Sequence, residues 1–346
     1  MNLSLPPELI QMQQLVREFA RREIAPRAAG LDRNPVFPHE TLRGMAQLGL
    51  LGVTTPEEFG GAGLDQVSLV TLLEEVAAAD ASHSTIMAVT NGFPQSALLS
   101  DGTDWQREEW LGRLASGEWI GAFCLSEPHS GSDAAALTTR ADVVDGGFVL
   151  NGTKAWITSG TDADLMLVLA RTDQTSGARG ISCFVVLGDA PGLVRGRPER
   201  KMGQHAALTS TVTFEDCFVP ESHLVGRLGQ GFVLAMSQLD AGRINIAAQA
   251  VGIARAAFDA LSGEVHASAG TALVQGSQLV RNAVNDRIRT AFENAEAEQT
   301  PALAYRATGS NAAAAAIGSA LTPADKTKPM AWASAFGTWG RTDGGR

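Results

Sequence analysis

In the first third of the chain, large apolar residues recur at helical spacing. Leu9, Met12, Leu15, Val16, Phe19 and Ile24 follow Pro6-Pro7-Glu8 and fall on one face, which predicts a helix with Pro26 near its end. Pro38 precedes a shorter helical pattern that closes at Gly49. Phe59-Gly60-Gly61-Ala62-Gly63 has turn chemistry and predicts a loop. Further helical patterns cover 65–79, 83–99 and 104–115, the last with Asp104 as its expected N-cap. Near Trp119 the pattern changes. Val, Ile, Thr and Phe gather in short runs punctuated by Gly and Asp, and strands are expected over 120–125, 148–154, 165–170, 181–187 and 211–214. Asn151-Gly152 lies between strand-like residues and predicts a hairpin turn. A loop over 226–231 then leads into a long helix, 232–261, with Leu234, Met236, Leu239, Ile244 and Val251 among its apolar positions. After Leu261 the chain is rich in Ala, Ser, Thr, Asn and Gly. The alanine run 312–316 supports helix by propensity, but the large residues that build a core are sparse.

This order predicts an α+β protein in three parts: an N-terminal α-helical domain over 1–118, a central β-barrel-like domain over 119–230, and an incomplete C-terminal helical segment over 231–346. A chain of 346 residues is long enough for two or three packed units. The apolar share of 45% and charged share of 18% are those of a globular protein. A formal net charge of -10 argues against nucleic acid, whose phosphates need clustered Lys and Arg. The three cysteines, Cys124, Cys183 and Cys217, are odd in number and far apart, so neither disulfides nor a zinc site is expected, and the six histidines show no metal-ligand spacing. The first residues lack the basic and apolar regions of a secretory signal, and no apolar run is long enough to span a bilayer. The expected compartment is cytoplasmic.

The densest chemistry lies over 123–133. A short strand runs into Ser126-Glu127-Pro128 and then His129-Ser130-Gly131-Ser132-Asp133. Hydroxyls, small residues and backbone N–H groups in one turn can approach a phosphate or a planar ring closely, since Gly131 carries no side chain. The same composition also makes an ordinary polar turn.

The order of these residues is more telling than their composition. Cys124-Leu125-Ser126-Glu127, then Ser130-Gly131-Ser132-Asp133 and a small residue at Ala136, resembles the first signature of the acyl-CoA dehydrogenases. Leu150-Asn151-Gly152-Thr153-Lys154-Ala155-Trp156-Ile157-Thr158-Ser159-Gly160 agrees, as do Glu57-Glu58-Phe59-Gly60-Gly61, Lys201-Met202-Gly203, Phe218-Val219-Pro220 and Leu239-Asp240-Ala241-Gly242-Arg243-Ile244. The resemblance covers roughly three quarters of the chain. It implies FAD as cofactor, with Phe123, Cys124, Leu125, Ser126, Gly131 and Ser132 along it. Leu125 and Ser126 would bond to the pyrimidine edge of the flavin, where negative charge gathers on reduction. Trp156 would pack on the isoalloxazine, with Ile157 and Thr158 beside it and the Thr158 hydroxyl near N5. Ser132, Asp240 and Arg243 would border the acyl-CoA. Taken alone, Trp156 reads equally as a core residue and Arg243 as a solvated helix charge.

The implied reaction removes an α proton from an acyl thioester to a carboxylate and the β hydrogen as hydride to the flavin, leaving an enoyl-CoA. The implied partners are an acyl-CoA and an electron-transferring flavoprotein, and family members are homo-oligomers. An acyl-CoA oxidase shares these motifs, and an inert binding relative would retain them without turnover. After Leu261 the expected motifs are not found: no Arg-rich stretch ending in Phe-Gly, no Gly-Gly-x-Gly and no Glu-Gly-Thr loop, from which the catalytic glutamate normally comes. Where some relatives place their base, this chain has Gly242. Glu264, Glu293, Glu296 and Glu298 stand in no matching context, so the catalytic residue is unassigned. The change near Leu261 reads as a reading-frame change or an aberrant gene end.

Overall fold

Pro6 and Pro7 open the first helix of the computed structural model, which describes residues 5–262. Proline suits a first turn because its φ is already helical and no N–H is lost from the ladder. This helix, α1, Pro7–Phe19, passes through a π turn at Ala20–Ile24 into α2, Ala25–Arg33. Pro26 therefore begins a helical stretch where the pattern of the sequence has it ending one. Helices α3, His39–Gln47, and α4, Gln66–Ala79, follow, the latter capped by Asp65, whose carboxylate accepts from the Ser68 N–H at 2.8 Å.

The single helix expected over 83–99 is two: α5, Ala81–Asn91, and α6, Phe93–Asp101. Gly92 leaves the helical backbone with ψ at −130°, and Pro94 in the next turn has no N–H to carry the first ladder onward. The run α7, Asp104–Gln106, a π turn at Arg107–Leu111, and α8, Gly112–Ala115, completes the helical part. Its cap is Thr103, not Asp104. Thr103 Oγ1 accepts from the Gln106 N–H at 3.2 Å while Gln106 Oε1 accepts from the Thr103 N–H at 3.0 Å. This reciprocal pair satisfies two donors and leaves Asp104 as a first-turn anion.

Eight strands make the central sheet: β1, Gly121–Cys124; β2, Arg140–Val144; β3, Gly147–Thr158; β4, Leu165–Arg171; β5, Ile181–Leu187; β6, Leu193–Arg195; β7, Thr209–Pro220; and β8, Leu224–Val225. Their order is β6-β7-β3-β2-β4-β5-β8, with β1 parallel beside β4. The sheet curls on itself. Phe148 on β3 packs against Phe184 on β5 with ring centroids 4.8 Å apart, although two strands separate them along the sheet. Inside the curl Phe148, Leu150, Met166, Val168, Phe184 and Val212 form one buried core. The other face of β4 and β5, including Leu165, Leu167, Leu169 and Val185, packs on Leu98, Trp110 and Leu234 of the helices. A third core, with Leu42, Met45, Leu72, Val76 and Met87, holds the N-terminal helices together.

The last described element is α9, Gly231–Ser262. Leu234 and Ala235 seat its start on the sheet. Further along, Gln249 Nε2 donates to Ala81 O at 3.0 Å and Ser84 Oγ at 2.7 Å. Arg255 and Arg17 both grip the buried carboxylate of Glu75, with N···O distances between 2.6 and 2.9 Å, joining α1, α4 and α9. Burial alone would raise the Glu75 pKa, but the two guanidinium groups outweigh it and hold the carboxyl below its ordinary value.

Asn151-Gly152 is not a hairpin turn. It lies inside β3, where the pairing with β7 slips between Leu150 and Gly152. The slip is a bulge, and it depends on glycine: Gly152 has φ at 150°, and a Cβ there would sit 2.5 Å from Thr139 Oγ1. The β2–β3 hairpin turns instead at Asp145-Gly146, since Val144 pairs with Gly147. Gly152→Ala is therefore expected to destabilise the protein by about 1–3 kcal/mol, the range for forcing atoms into a packed site. Chemical denaturation that shows no loss would remove the bulge's stated dependence on glycine.

Candidate functional site

The end of β1 with the turn after it, the end of β3 and the first turns of α9 enclose an open cleft of about 580 Å³. This is in the size range of small-molecule sites. Phe123, Leu125, Ser126, Gly131 and Ser132 form one wall, and Trp156, Ile157 and Thr158 the other. Met236, Leu239 and Arg243 reach in from α9.

Local backbone explains how β3 presents its wall. Pairing with β7 slips a second time between Lys154 and Ile157. At the slip Trp156 takes φ of 62°, a left-handed conformation that is costly for a bulky residue. The bulge turns the indole outward, and it stays 64% exposed while its neighbours Ala155 and Ile157 are buried. A strained backbone that exposes a large aromatic gains nothing in stability, which marks Trp156 as a contact held ready for something else.

Behind the other wall lies a buried ion pair. Lys154 Nζ donates to Glu127 Oε1 at 2.8 Å and to the Leu125 carbonyl at 3.1 Å, and both side chains are within 1% of full burial. Glu127 also accepts from the Thr138 N–H at 2.7 Å, the Thr138 hydroxyl at 3.0 Å and the Thr139 N–H at 2.9 Å. Burial pushes the Glu127 carboxyl up, but the Lys154 charge and these hydrogen bonds overcome it and hold the pKa down to about 2. Glu127 N–H donates to Ser130 O at 2.8 Å and Ser130 N–H returns to Glu127 O at 3.1 Å, closing the turn that carries Gly131 and Ser132. The Ala155 N–H donates to Ser126 O at 2.9 Å and ties that turn to β3.

Most of the residues singled out in the sequence meet here: Phe123, Leu125, Ser126, Gly131, Ser132, Trp156, Ile157, Thr158 and Arg243 all line the cleft. Cys124 does not. Successive residues of a strand face opposite sides, so Phe123 faces the cleft and Cys124 points into the sheet's inner core, fully buried, its thiol pushed up to about 12 by burial. Asp240 is not in the lining either; it is exposed and pairs with Arg243 one turn along α9. Sequence reasoning missed Val89, Ala134, Met236 and Leu239 as lining residues. Met236 and Leu239 are one turn apart on α9, and that spacing was a usable signal. Nothing in the sequence marks Val89, which arrives from α5.

The lining suits a flat polar ligand. Ser126, Ser132 and Thr158 line the cleft, and their hydroxyls make no side-chain hydrogen bond to any described residue. A Cβ on Gly131 would meet nothing within 4 Å, so no protein contact demands glycine there. The exposed Trp156 ring offers a stacking face. These features fit an isoalloxazine with its phosphates. No carboxylate is among the lining residues, and Glu264, Glu293, Glu296 and Glu298 lie outside the described residues. Among the described residues no cluster of side chains could hold a metal, and no helix is long and apolar enough to cross a membrane. A second cleft of about 430 Å³ between α1 and α3 contains none of the motif residues.

Family models for the acyl-CoA dehydrogenase N-terminal, middle and C-terminal domains match residues 6–118, 122–217 and 229–326. The structure of butyryl-CoA dehydrogenase from Megasphaera elsdenii superposes with a TM-score of 0.78 at 33% identity, over 82% of this chain and 79% of that one. The chain belongs to the acyl-CoA dehydrogenase family. The C-terminal match runs to residue 326, so resemblance to the family continues past Leu261, where the sequence led us to expect it to stop. The mouse mitochondrial short-chain specific acyl-CoA dehydrogenase is 43% identical over 258 residues, 75% of this chain and 63% of that protein, so the chain spans less than two thirds of this relative. A glutaryl-CoA dehydrogenase from Mycobacterium smegmatis, solved in complex with FADH2, is 32% identical over 74% of this chain and 64% of that one, with a TM-score of 0.69.

The ion pair carries a pH signature. A carboxyl whose folded pKa is depressed contributes stability above its unfolded value, and that contribution is lost as pH falls through the folded one. For Glu127 the loss is expected between the ordinary carboxylate range and pH about 2. Glu127→Gln should flatten that part of a stability-versus-pH curve, and Lys154→Met alone should cost about 3–5 kcal/mol by stranding a buried charge. Identical acid limbs for the parent and Glu127→Gln would contradict the assignment.

Proposed function

We propose that this chain binds FAD and an acyl-CoA in the cleft, in the arrangement of an enzyme that converts an acyl thioester to its α,β-enoyl thioester and passes the electrons to an electron-transferring flavoprotein. The observation that carries the reading is the convergence of the 123–132 wall, the Trp156–Thr158 wall and Arg243 on one cleft, with Trp156 held outward by a strained bulge. FAD, when bound, supplies the two-electron acceptor. The protein's own residues then have separable tasks. Trp156 stacks on the ring system. The hydroxyls of Ser126 and Thr158 and the backbone at 125–126 offer hydrogen bonds to it. Ser132 and Arg243 stand where polar parts of a thioester ligand would be met, with the Arg243 charge tempered by Asp240. Met236 and Leu239 supply apolar surface for an acyl chain. A short acyl chain is the first substrate to test, since the mouse relative is short-chain specific.

A second reading rests on a different observation: the described lining contains no carboxylate, and position 242 is glycine. A chain that binds flavin and acyl-CoA but cannot remove the α proton would be an inert relative. Loss of a general base costs about 10²–10⁴-fold in rate. An acyl-CoA oxidase differs from both in passing electrons to oxygen, and peroxide formation with substrate separates it.

Two measurements test these statements. Purified protein is expected to be yellow or to take up FAD, and Gly131→Val should weaken FAD binding while leaving the stability of the ligand-free protein within about 0.5 kcal/mol, because the new side chain meets only the ligand. Unchanged FAD affinity in Gly131→Val would move the cofactor away from this turn. Anaerobic mixing of the FAD-loaded chain with short, medium, long and branched acyl-CoAs separates the two readings: bleaching of the flavin is expected of a working dehydrogenase, and little or none of the inert relative. Rapid bleaching would show a working base, with Glu264 the first residue to replace.

A further inference from the structure

We propose that Lys154, held in place by Glu127, positions and polarises the Leu125–Ser126 peptide so that this peptide binds reduced flavin more tightly than oxidised flavin. The inference rests on FAD occupying the cleft. Lys154 is fully buried, does not line the cleft and lies behind the wall formed by Leu125 and Ser126. Its ammonium donates to the Leu125 carbonyl at 3.1 Å. That carbonyl and the Ser126 N–H belong to the same planar peptide unit. An ammonium on the carbonyl draws electron density through the unit and makes the N–H at its far end a stronger donor. The Ser126 N–H makes no backbone hydrogen bond among the described residues, and the Ser126 side chain borders the cleft.

A lysine whose only task was to neutralise Glu127 would not need the Leu125 carbonyl, and a carboxylate with three other donors does not need lysine to be hydrogen-bonded. The two charges together cost desolvation that an apolar pair of the same volume would avoid. What they add is rigidity at one place. Glu127 is fixed by Thr138 and Thr139 on one side and by its bridge to Ser130 on the other, so Lys154 is pinned at both ends. Ala155, the next residue of β3, ties down Ser126 O from the same strand. The strand that displays Trp156 on one side of the cleft thus sets the donor on the other side. Lys154 and Glu127 are positioning residues, since neither reaches the cleft.

The test uses the double variant Lys154→Met/Glu127→Gln, which removes both charges and strands neither. FAD affinity is measured by titration, and the midpoint potential of bound flavin by spectroelectrochemistry. The expected result is a folded protein in which reduced FAD loses about ten-fold more affinity than oxidised FAD, a potential about 30 mV more negative for a two-electron couple. An unchanged potential with FAD bound would overturn the proposal, because a purely structural pair would change stability alone. If the parent chain takes up no FAD, the reading of the cleft fails and this inference with it; if the parent binds and the variant matches it, only the inference fails. Should the double variant not fold, the Lys154 ammonium signal of the parent, followed by 15N NMR, decides. It is expected to move when bound FAD is reduced, and a signal that stays in place overturns the proposal.

Discussion

Everything in the described structure is arranged around a strand that has no solvent side. All seven residues of β4 are buried. Leu165, Leu167 and Leu169 belong to the core shared with the helices, while Met166, Val168 and Ala170 belong to the core inside the curled sheet. A strand buried on both faces cannot alternate apolar with polar residues, which is why 165–170 reads as a continuous apolar run. The helical part and the sheet are therefore not two bodies in contact. They are two cores with one wall in common. β1 pairs in parallel with β4 along its whole length and ends at Cys124, so the turn that follows is delivered to the rim of that shared wall. The helix α9 reaches the same rim, because its first turns pack on β4's neighbour, β5.

At that rim the protein accepts local costs. Trp156 is both strained and exposed, and Lys154 and Glu127 are both charged and buried. Each feature runs against the usual tendency for large apolar groups to be covered and charges to face water, a tendency also broken at Glu75, buried between Arg17 and Arg255. Those at the rim occur within three residues of each other on β3 or directly across from it. Departures from local rules concentrate where a structure serves function and are compensated elsewhere. Here the compensation is visible: the continuous apolar packing of β4 and β5 beneath the rim.

Much of this was legible in the sequence. The helices of the first third and the long α9 follow from apolar spacing, and the signature residues from 123 onward do converge. The misreadings have physical sources. Asn151-Gly152 has turn chemistry, but the same positive-φ glycine serves a bulge, and only the long β3–β7 ladder shows which. Thr103 and Asp104 are both good caps, and the choice depends on Gln106 reaching back. Gly92 hardly interrupts the apolar pattern, so the break between α5 and α6 is hidden from periodicity. Cys124 was grouped with its neighbours by motif, whereas strand alternation turns its side chain away from theirs. The partnership of Lys154 with Glu127 spans 27 residues and follows from no local pattern.

The three cysteines supply a built-in reporter. Cys124, Cys183 and Cys217 are all buried, and burial raises the pKa of each thiol, Cys217 to about 11. Alkylating reagents attack the thiolate, so all three are expected to react slowly at neutral pH while the sheet is closed. Cys183 lies on the helix-facing side of β5, and Cys124 and Cys217 lie inside the curl. The order in which they become modifiable therefore records which core opens first: a Cys183 that reacts ahead of the others reports helices lifting from the sheet, and simultaneous modification reports the two cores unfolding as one.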